Sequence, residues 1–282
     1  RRMSGTPQGS SISAILADLA NRNLDLALER QSGRFARYAD DVVALCNTVG
    51  EAEQIQVVLS QHCEASGIAI NEQKSKGIRL ISSHPAEGHS HRSFDYLGYR
   101  FTKDGLAMPD TAKRRIKSRL SRLIQVYLIQ YPLKNGFNKK RCGKDPDYDW
   151  DLLGLITEFR KYIYGGLTET QLSGFLRSGE RLKTMRGLMG FYVLLENKLD
   201  LQELDGWLVN NLRRAMKKRA IILGSKYDVV GLRPTNEQLI LGTWFNENSW
   251  HGPNIPELKL PSFVRAWRAA RKHNFTFGLK DV

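Results

Sequence analysis

The stretch Arg34-Phe-Ala-Arg-Tyr-Ala-Asp-Asp-Val-Val-Ala-Leu45 decides how the first third of the chain is read. Apolar and aromatic residues flank an Asp40-Asp41 pair on both sides, the pattern of two short strands joined by a tight acidic turn. Adjacent carboxylates on a hairpin tip repel each other, and a divalent cation is the usual way to hold both ionised in one place. Taken alone, the pair is weak, since such pairs usually sit in solvated turns or helix caps. Upstream, residues 1–10 (RRMSGTPQGS) are turn chemistry that opens into SISAILADLANRNLDLALE, where Ile12, Ile15, Leu16, Leu19, Leu24 and Leu26 fall at largely helical spacing. Downstream, Ile55, Val58, Leu59 and His62 set a helical period over 50–65, with Gly67 placed as its cap. Short strands are expected around 68–70 and 77–81, and 94–108 reads as a hairpin turning at Asp104-Gly105. Residues 1–108 are therefore mixed α and β with antiparallel hairpins.

After Pro109 the character changes. Ile116, Leu120, Leu123, Ile124, Tyr127 and Leu128 recur at helical spacing, while Lys113, Arg114, Lys117, Arg119 and Arg122 occupy other faces. Residues 132–149 form a basic, Gly/Pro-rich stretch that reads as an exposed insertion. Helix then dominates to about Leu223, followed by a loop-rich segment with Pro234, Pro253, Pro256 and Pro261 and a last short helix over 262–272. A boundary is placed near 109 and another near 196. The fold class expected is α+β.

Composition narrows the partners. The 282 residues are 41% hydrophobic, with Lys+Arg 43 against Asp+Glu 29 and a formal net charge of +14. That excess favours a polyanion, nucleic acid before membrane, and no run approaches the ~18 consecutive apolar residues of a membrane span. Cys46, Cys63 and Cys142 show no CxxC spacing, so neither a disulfide framework nor a zinc ribbon is expected, and a reducing, cytoplasmic setting fits. His62, His89, His91 and His273 have no ligand spacing with those cysteines. Two basic runs, Lys113, Arg114, Lys117, Arg119, Arg122 and then Arg213, Arg214, Lys217, Lys218, Arg219, are placed to follow phosphates; as helix faces they are equally ordinary solvated surface.

The order of motifs resembles the reverse transcriptases of group II introns, retrons and bacterial phage defence. Gly5-Thr-Pro7-Gln8-Gly9 precedes a helix, Tyr38-Ala39-Asp40-Asp41 follows, then Asn71…Lys74-Ser75, then Phe94-Asp-Tyr-Leu97-Gly98-Tyr99. The resemblance covers roughly 5–101 closely and extends loosely through Arg186-Gly-Leu-Met-Gly-Phe-Tyr192 and Leu204-Asp-Gly-Trp207. It implies a partial polymerase palm at 1–108, a helical thumb at 109–195 and a basic helical, maturase-like extension at 196–282. It further implies that Pro7, Gln8 and Gly9, with Tyr38 and Ala39, place template and incoming nucleotide, that Asp40 and Asp41 hold Mg²⁺ or Mn²⁺, and that Leu97, Gly98 and Tyr99 grip the primer end. RNA template, DNA or RNA primer, deoxynucleoside triphosphates and a dedicated non-coding RNA are the implied partners.

The residues make physical sense beside that resemblance. Gly5 and Gly9 admit close backbone approach, and the Gln8 amide offers donor and acceptor; a plain helix-entry loop is the competing reading. Ala39 leaves room beside the carboxylates or simply packs, and Tyr38 supports the hairpin or fills space. Lys74 is placed to meet a triphosphate or protonate pyrophosphate, or is a solvated loop lysine. The family's third aspartate and its fingers belong ahead of the Pro-Gln-Gly loop, before this chain starts. Ser13-Ala14 stands where group II proteins commonly have Ser-Pro, and Asp18 where many have Asn, which leans toward a divergent bacterial lineage. The rival reading is an RNA-binding scaffold or splicing maturase with a vestigial polymerase site.

Overall fold

The computed structural model describes residues 12–31, 33–71, 73, 75–81, 90–134, 149–180, 182, 185–245 and 257–278. The chain is α+β and divides into two compact units, Arg1–Tyr96 and Leu97–Val282.

In the first unit, α1 (Ser13–Ala20) and α2 (Arg22–Glu29) replace the single helix expected from 12 onward, with Asn21 at the break. The Asn21 side chain donates to the Ala17 carbonyl at 2.9 Å, a local bond that competes with the helix ladder. The antiparallel hairpin of β1 (Arg34–Tyr38) and β2 (Asp41–Leu45) lies where the apolar runs flanking Asp40-Asp41 predict. Helix α3 (Val49–Ser66) starts at Thr48, whose hydroxyl accepts from the Glu51 amide, and stops at Gly67 in the left-handed conformation. Its face meets Leu24 and Leu28 through Ile55, and these three buried side chains form the unit's core.

Strand content after α3 is smaller than expected. No strand forms at 68–70; only Leu80–Ile81 (β3) does, pairing in parallel with Ser90–His91 (β4). Ile68 and Ile70 stay exposed, so no burial drives them into a sheet. β5 (Ser93–Tyr96) closes the unit.

The second unit opens with the hairpin of β6 (Tyr99–Thr102) and β7 (Gly105–Ala107). Its register pairs Thr102 with Gly105, so the turn is Lys103-Asp104, one residue earlier than the sequence suggests. Helix α4 (Asp110–Ile124) continues through a π-helical segment (Gln125–Gln130) into α5 (Tyr131–Lys134). Then follow α6 (Trp150–Tyr164), α7 (Glu169–Ser178), α8 (Leu188–Phe191), α9 (Leu199–Tyr227), α10 (Asn236–Leu241) and α11 (Phe263–Phe277). Of the exposed insertion expected at 132–149, residues 135–148 lie outside the described residues, while its end residues are buried, Pro132 in α5 and Asp149 at the start of α6.

One core runs from Tyr99 through α4, α6, α7 and α9 to Ala269 on α11. The expected boundary near 196 therefore does not separate two cores. α9 is the reason: Leu201, Leu204, Leu208 and Leu212 share that core with Leu152, Leu155 and Phe159 of α6. Residues 186–192, the loosely family-like stretch, are fixed by close backbone packing. Gly187 has φ +86, and a Cβ there would lie 2.4 Å from the Gly165 amide nitrogen.

At the centre of this unit Arg219 is fully buried. Its Nε and Nη2 donate to Asp149 at 2.7 and 3.1 Å, Nη2 to Asp151 at 2.8 Å, and Nη1 to the Leu128 carbonyl at 3.2 Å. The π segment, the start of α6 and α9 thus meet on one guanidinium. Asp149 also accepts from the Asp151 and Leu152 amides, capping α6. Arg219 is thereby removed from the phosphate-facing run in which its sequence neighbours place it.

Candidate functional site

The acidic turn is short and strained. Tyr38 pairs with Asp41, leaving Ala39-Asp40 as a two-residue turn. Ala39 adopts φ +54, a left-handed conformation that costs an ordinary residue about 1–2 kcal/mol. Tyr38, Ala39, Asp40 and Asp41 are all exposed, so both carboxylates face solvent from adjacent positions.

Two side chains hold the turn. In β1 the residues alternate in burial, and Arg37 falls on the half-buried face with Phe35, its side chain only 8% exposed. Its Nε and Nη2 donate to the two carboxylate oxygens of Asp25 on α2 at 2.7 and 2.6 Å. Its Nη1 donates to Asp18 on α1 at 3.1 Å and to the Ala39 carbonyl at 3.0 Å. The Arg37 hydrogen bond holds the Asp25 carboxyl below the usual carboxylate range, and the Arg37 guanidinium is held protonated chiefly by Asp25. The Tyr96 hydroxyl lies 3.2 Å from the carbonyls of Ala36 and Asp41, toward which its single proton points. Burial, then the charge of Asp41, raises the Tyr96 phenol. Sequence reading overlooked Arg37, Asp25 and Tyr96. An arginine on the inward-facing parity of a strand was the available signal, because such a group needs an acid partner.

The donor set suits a hard divalent cation in kind, since Asp40 and Asp41 offer carboxylate oxygens. Among the described residues no group of three His, Cys, Asp or Glu side chains converges.

The other expected residues fall in different places. Pro7, Gln8, Gly9 and Lys74 lie outside the described residues. Leu97, Gly98 and Tyr99 belong to the second unit, where Leu97 and Gly98 take φ +46 and +80. A Cβ on Gly98 would lie 2.9 Å from the Phe191 ring. Tyr99 stacks on that ring and donates its hydroxyl proton to the Phe191 carbonyl. Gly98 is thus a tight contact within its own unit.

The basic residues of the second unit sort into two groups. Lys113 pairs with Asp200 at 2.8 Å and Asp110 at 3.1 Å, and Lys117 with Glu203 at 2.6 Å; α9 carboxylates compensate both α4 lysines. Arg114 is exposed. Arg213, Arg214, Lys217 and Lys218 form an exposed stripe on α9, with no ion pair to a carboxylate among the described residues. At helical spacing these four lie on one face, opposite the buried Leu212, Met216 and Arg219.

Residues 1–101 match the family model for reverse transcriptase (RNA-dependent DNA polymerase). No curated protein and no solved structure matches the chain. The match ends just beyond the first unit and covers both the acidic hairpin and the Leu97-Gly98-Tyr99 turn. Among the described residues no helix is long and apolar enough to cross a membrane.

Proposed function

We propose that the chain is the palm-bearing portion of an RNA-directed DNA polymerase, of a bacterial group II intron-like or phage-defence type. It would extend a DNA or RNA primer on an RNA template by transfer of deoxynucleotidyl groups to a 3′-hydroxyl. The observation that carries this reading is the presentation of Asp40 in the two-residue turn, held at the Ala39 carbonyl by Arg37, and of Asp41 at the adjoining start of β2, inside the segment that matches the reverse transcriptase family. Asp40 and Asp41 would hold Mg²⁺, or Mn²⁺, together with an aspartate that the resemblance places ahead of Pro7. Cations bound there supply activation of the primer hydroxyl and charge compensation for the departing pyrophosphate. The chain's own part is to keep the two carboxylates aimed from one rigid turn, while the exposed stripe Arg213, Arg214, Lys217 and Lys218 attracts the template–primer backbone.

Primer extension on a defined RNA template, by the protein together with the segment that the resemblance places ahead of Pro7, tests this. Asp40→Asn is expected to abolish incorporation of deoxynucleotides while RNA affinity stays within about twofold of wild type. Unchanged extension by the variant rejects the assignment. A scaffold or maturase reading has one observation in its favour: among the described residues no group of three or more His, Cys, Asp or Glu side chains is placed to hold a metal ion. Wild-type protein that binds RNA tightly and incorporates nothing with either cation would favour that second reading.

A further inference from the structure

We propose that Arg37 is the positioning residue of the acidic hairpin, transmitting the geometry of α1 and α2 to the Asp40-Asp41 turn through the Ala39 carbonyl. This rests on the reading of those two aspartates as a cation site, and adds to it the element that sets their direction.

The argument begins with a strained residue that needs support. Ala39 sits at φ +54 without the freedom of glycine, and such conformations persist only where the surroundings over-determine them. Packing does not supply that support, because Tyr38, Ala39, Asp40 and Asp41 are all exposed. The carbonyl of Ala39 belongs to the peptide plane whose nitrogen is that of Asp40. Fixing this oxygen fixes the plane from which the Asp40 side chain departs. The Nη1 donor of Arg37 does so at 3.0 Å.

The guanidinium is itself immobile. Both oxygens of Asp25 are engaged by Nε and Nη2, a planar fork that sets the orientation of the whole group. The second Nη1 proton goes to Asp18, so α1 and α2 each hold one side of the same cation. Hydrogen bonds therefore run from two helices, through one guanidinium, into one turn. The charge arrangement matters as well. A lone arginine beneath a cation site would oppose the cation, but two carboxylates neutralise this one locally, leaving its geometry as the contribution.

Lysine cannot reproduce the arrangement. Its ammonium keeps the charge but has no planar fork to satisfy both Asp25 oxygens while also reaching the Ala39 carbonyl. Arg37→Lys consequently separates geometry from charge.

The test is Mn²⁺ titration of the protein together with the segment that the resemblance places ahead of Pro7, read by electron paramagnetic resonance, on wild type, Asp40→Asn, Arg37→Lys and Asp25→Asn. Far-ultraviolet circular dichroism monitors the fold of each. Arg37→Lys is expected to weaken the Asp40-dependent Mn²⁺ site by about tenfold, the usual size of an outer-shell effect on metal affinity, with the dichroism spectrum unchanged. Asp25→Asn, which leaves Arg37 in place but opens the fork, is expected to weaken it in the same direction. Wild-type affinity in Arg37→Lys, alongside loss in Asp40→Asn, overturns the positioning role and leaves the cation site standing. Wild-type protein without any Asp40-dependent Mn²⁺ binding overturns both. Should Arg37→Lys fail to fold, Asp25→Asn decides alone: weakened binding supports the role, and unchanged binding overturns it.

Discussion

Among the described residues the first unit has a core of three buried apolar side chains, Leu24, Leu28 and Ile55, whereas the core of the second runs from Tyr99 to Ala269. The first also leaves Ile12 and, on α1, Ile15, Leu16 and Leu19 exposed. Side chains are therefore positioned by different forces in the two units. Where many apolar contacts exist, packing fixes geometry, and a buried charge such as Arg219 is tolerated because Asp149, Asp151 and a carbonyl complete it. Where few exist, a polar clamp takes over: the acidic turn is set by Arg37 and Tyr96, each reaching backbone carbonyls. The candidate chemistry sits on the unit that depends on directed hydrogen bonds, and an exposed cationic stripe sits on the unit that depends on packing.

The contrast breaks most visibly at Arg219. Arg219→Met leaves two buried aspartates uncompensated and is expected to cost about 3–5 kcal/mol in denaturant unfolding. A near-neutral result would mean that the second unit does not depend on its buried charge. Gly98→Ala comes next, because the new Cβ must meet Phe191 at φ +80, at an expected cost of about 1–3 kcal/mol. A variant that melts like wild type while losing primer affinity would detach this turn from the packed unit and return it to a role at the primer.

The stripe on α9 offers a finer comparison. Replacing Arg213, Arg214, Lys217 and Lys218 by Gln is expected to lower the slope of log affinity against log salt by roughly 0.7–0.9 for each phosphate the stripe no longer neutralises. Replacing the compensated Lys113 should change that slope far less, since its ammonium is held by Asp200 and Asp110. Equal effects would erase the distinction between the two basic runs.

The smallest effects lie at the two ends of the pH range. Asp25 in the first unit has its pKa lowered by Arg37, so its ionised form is favoured in the folded state. The stability it contributes is present above the ordinary carboxylate pKa and disappears as pH falls through the lowered value. In the second unit, burial pushes the Tyr192 phenol up to about 12 from 10.0. The folded state resists ionisation there, so stability declines as pH rises from about 10 toward about 12. Acid melts of Asp25→Asn and alkaline melts of Tyr192→Phe should each show a flatter pH dependence than wild type. Wild-type slopes in both would remove the link between these groups and their units.

Local pattern alone determined a good deal of this protein. Apolar and aromatic residues on either side of Asp40-Asp41 define the β1–β2 hairpin, because short apolar runs that flank an acidic turn favour two paired strands. Gly67 marks the end of α3, because a left-handed residue there closes the helix. The Ile116-to-Leu128 spacing locates α4, though not the π segment that follows, since one periodicity serves both. The tertiary structure decided which charges are available. Arg213 and Arg219 belong to one basic run, yet one is exposed and the other buried against carboxylates some seventy residues away. Arg37 likewise reads as an ordinary strand residue until Asp18 and Asp25, 19 and 12 positions earlier, fold against it. Ion pairing depends on distance in space, and sequence separation carries no information about it once the chain has turned back on itself.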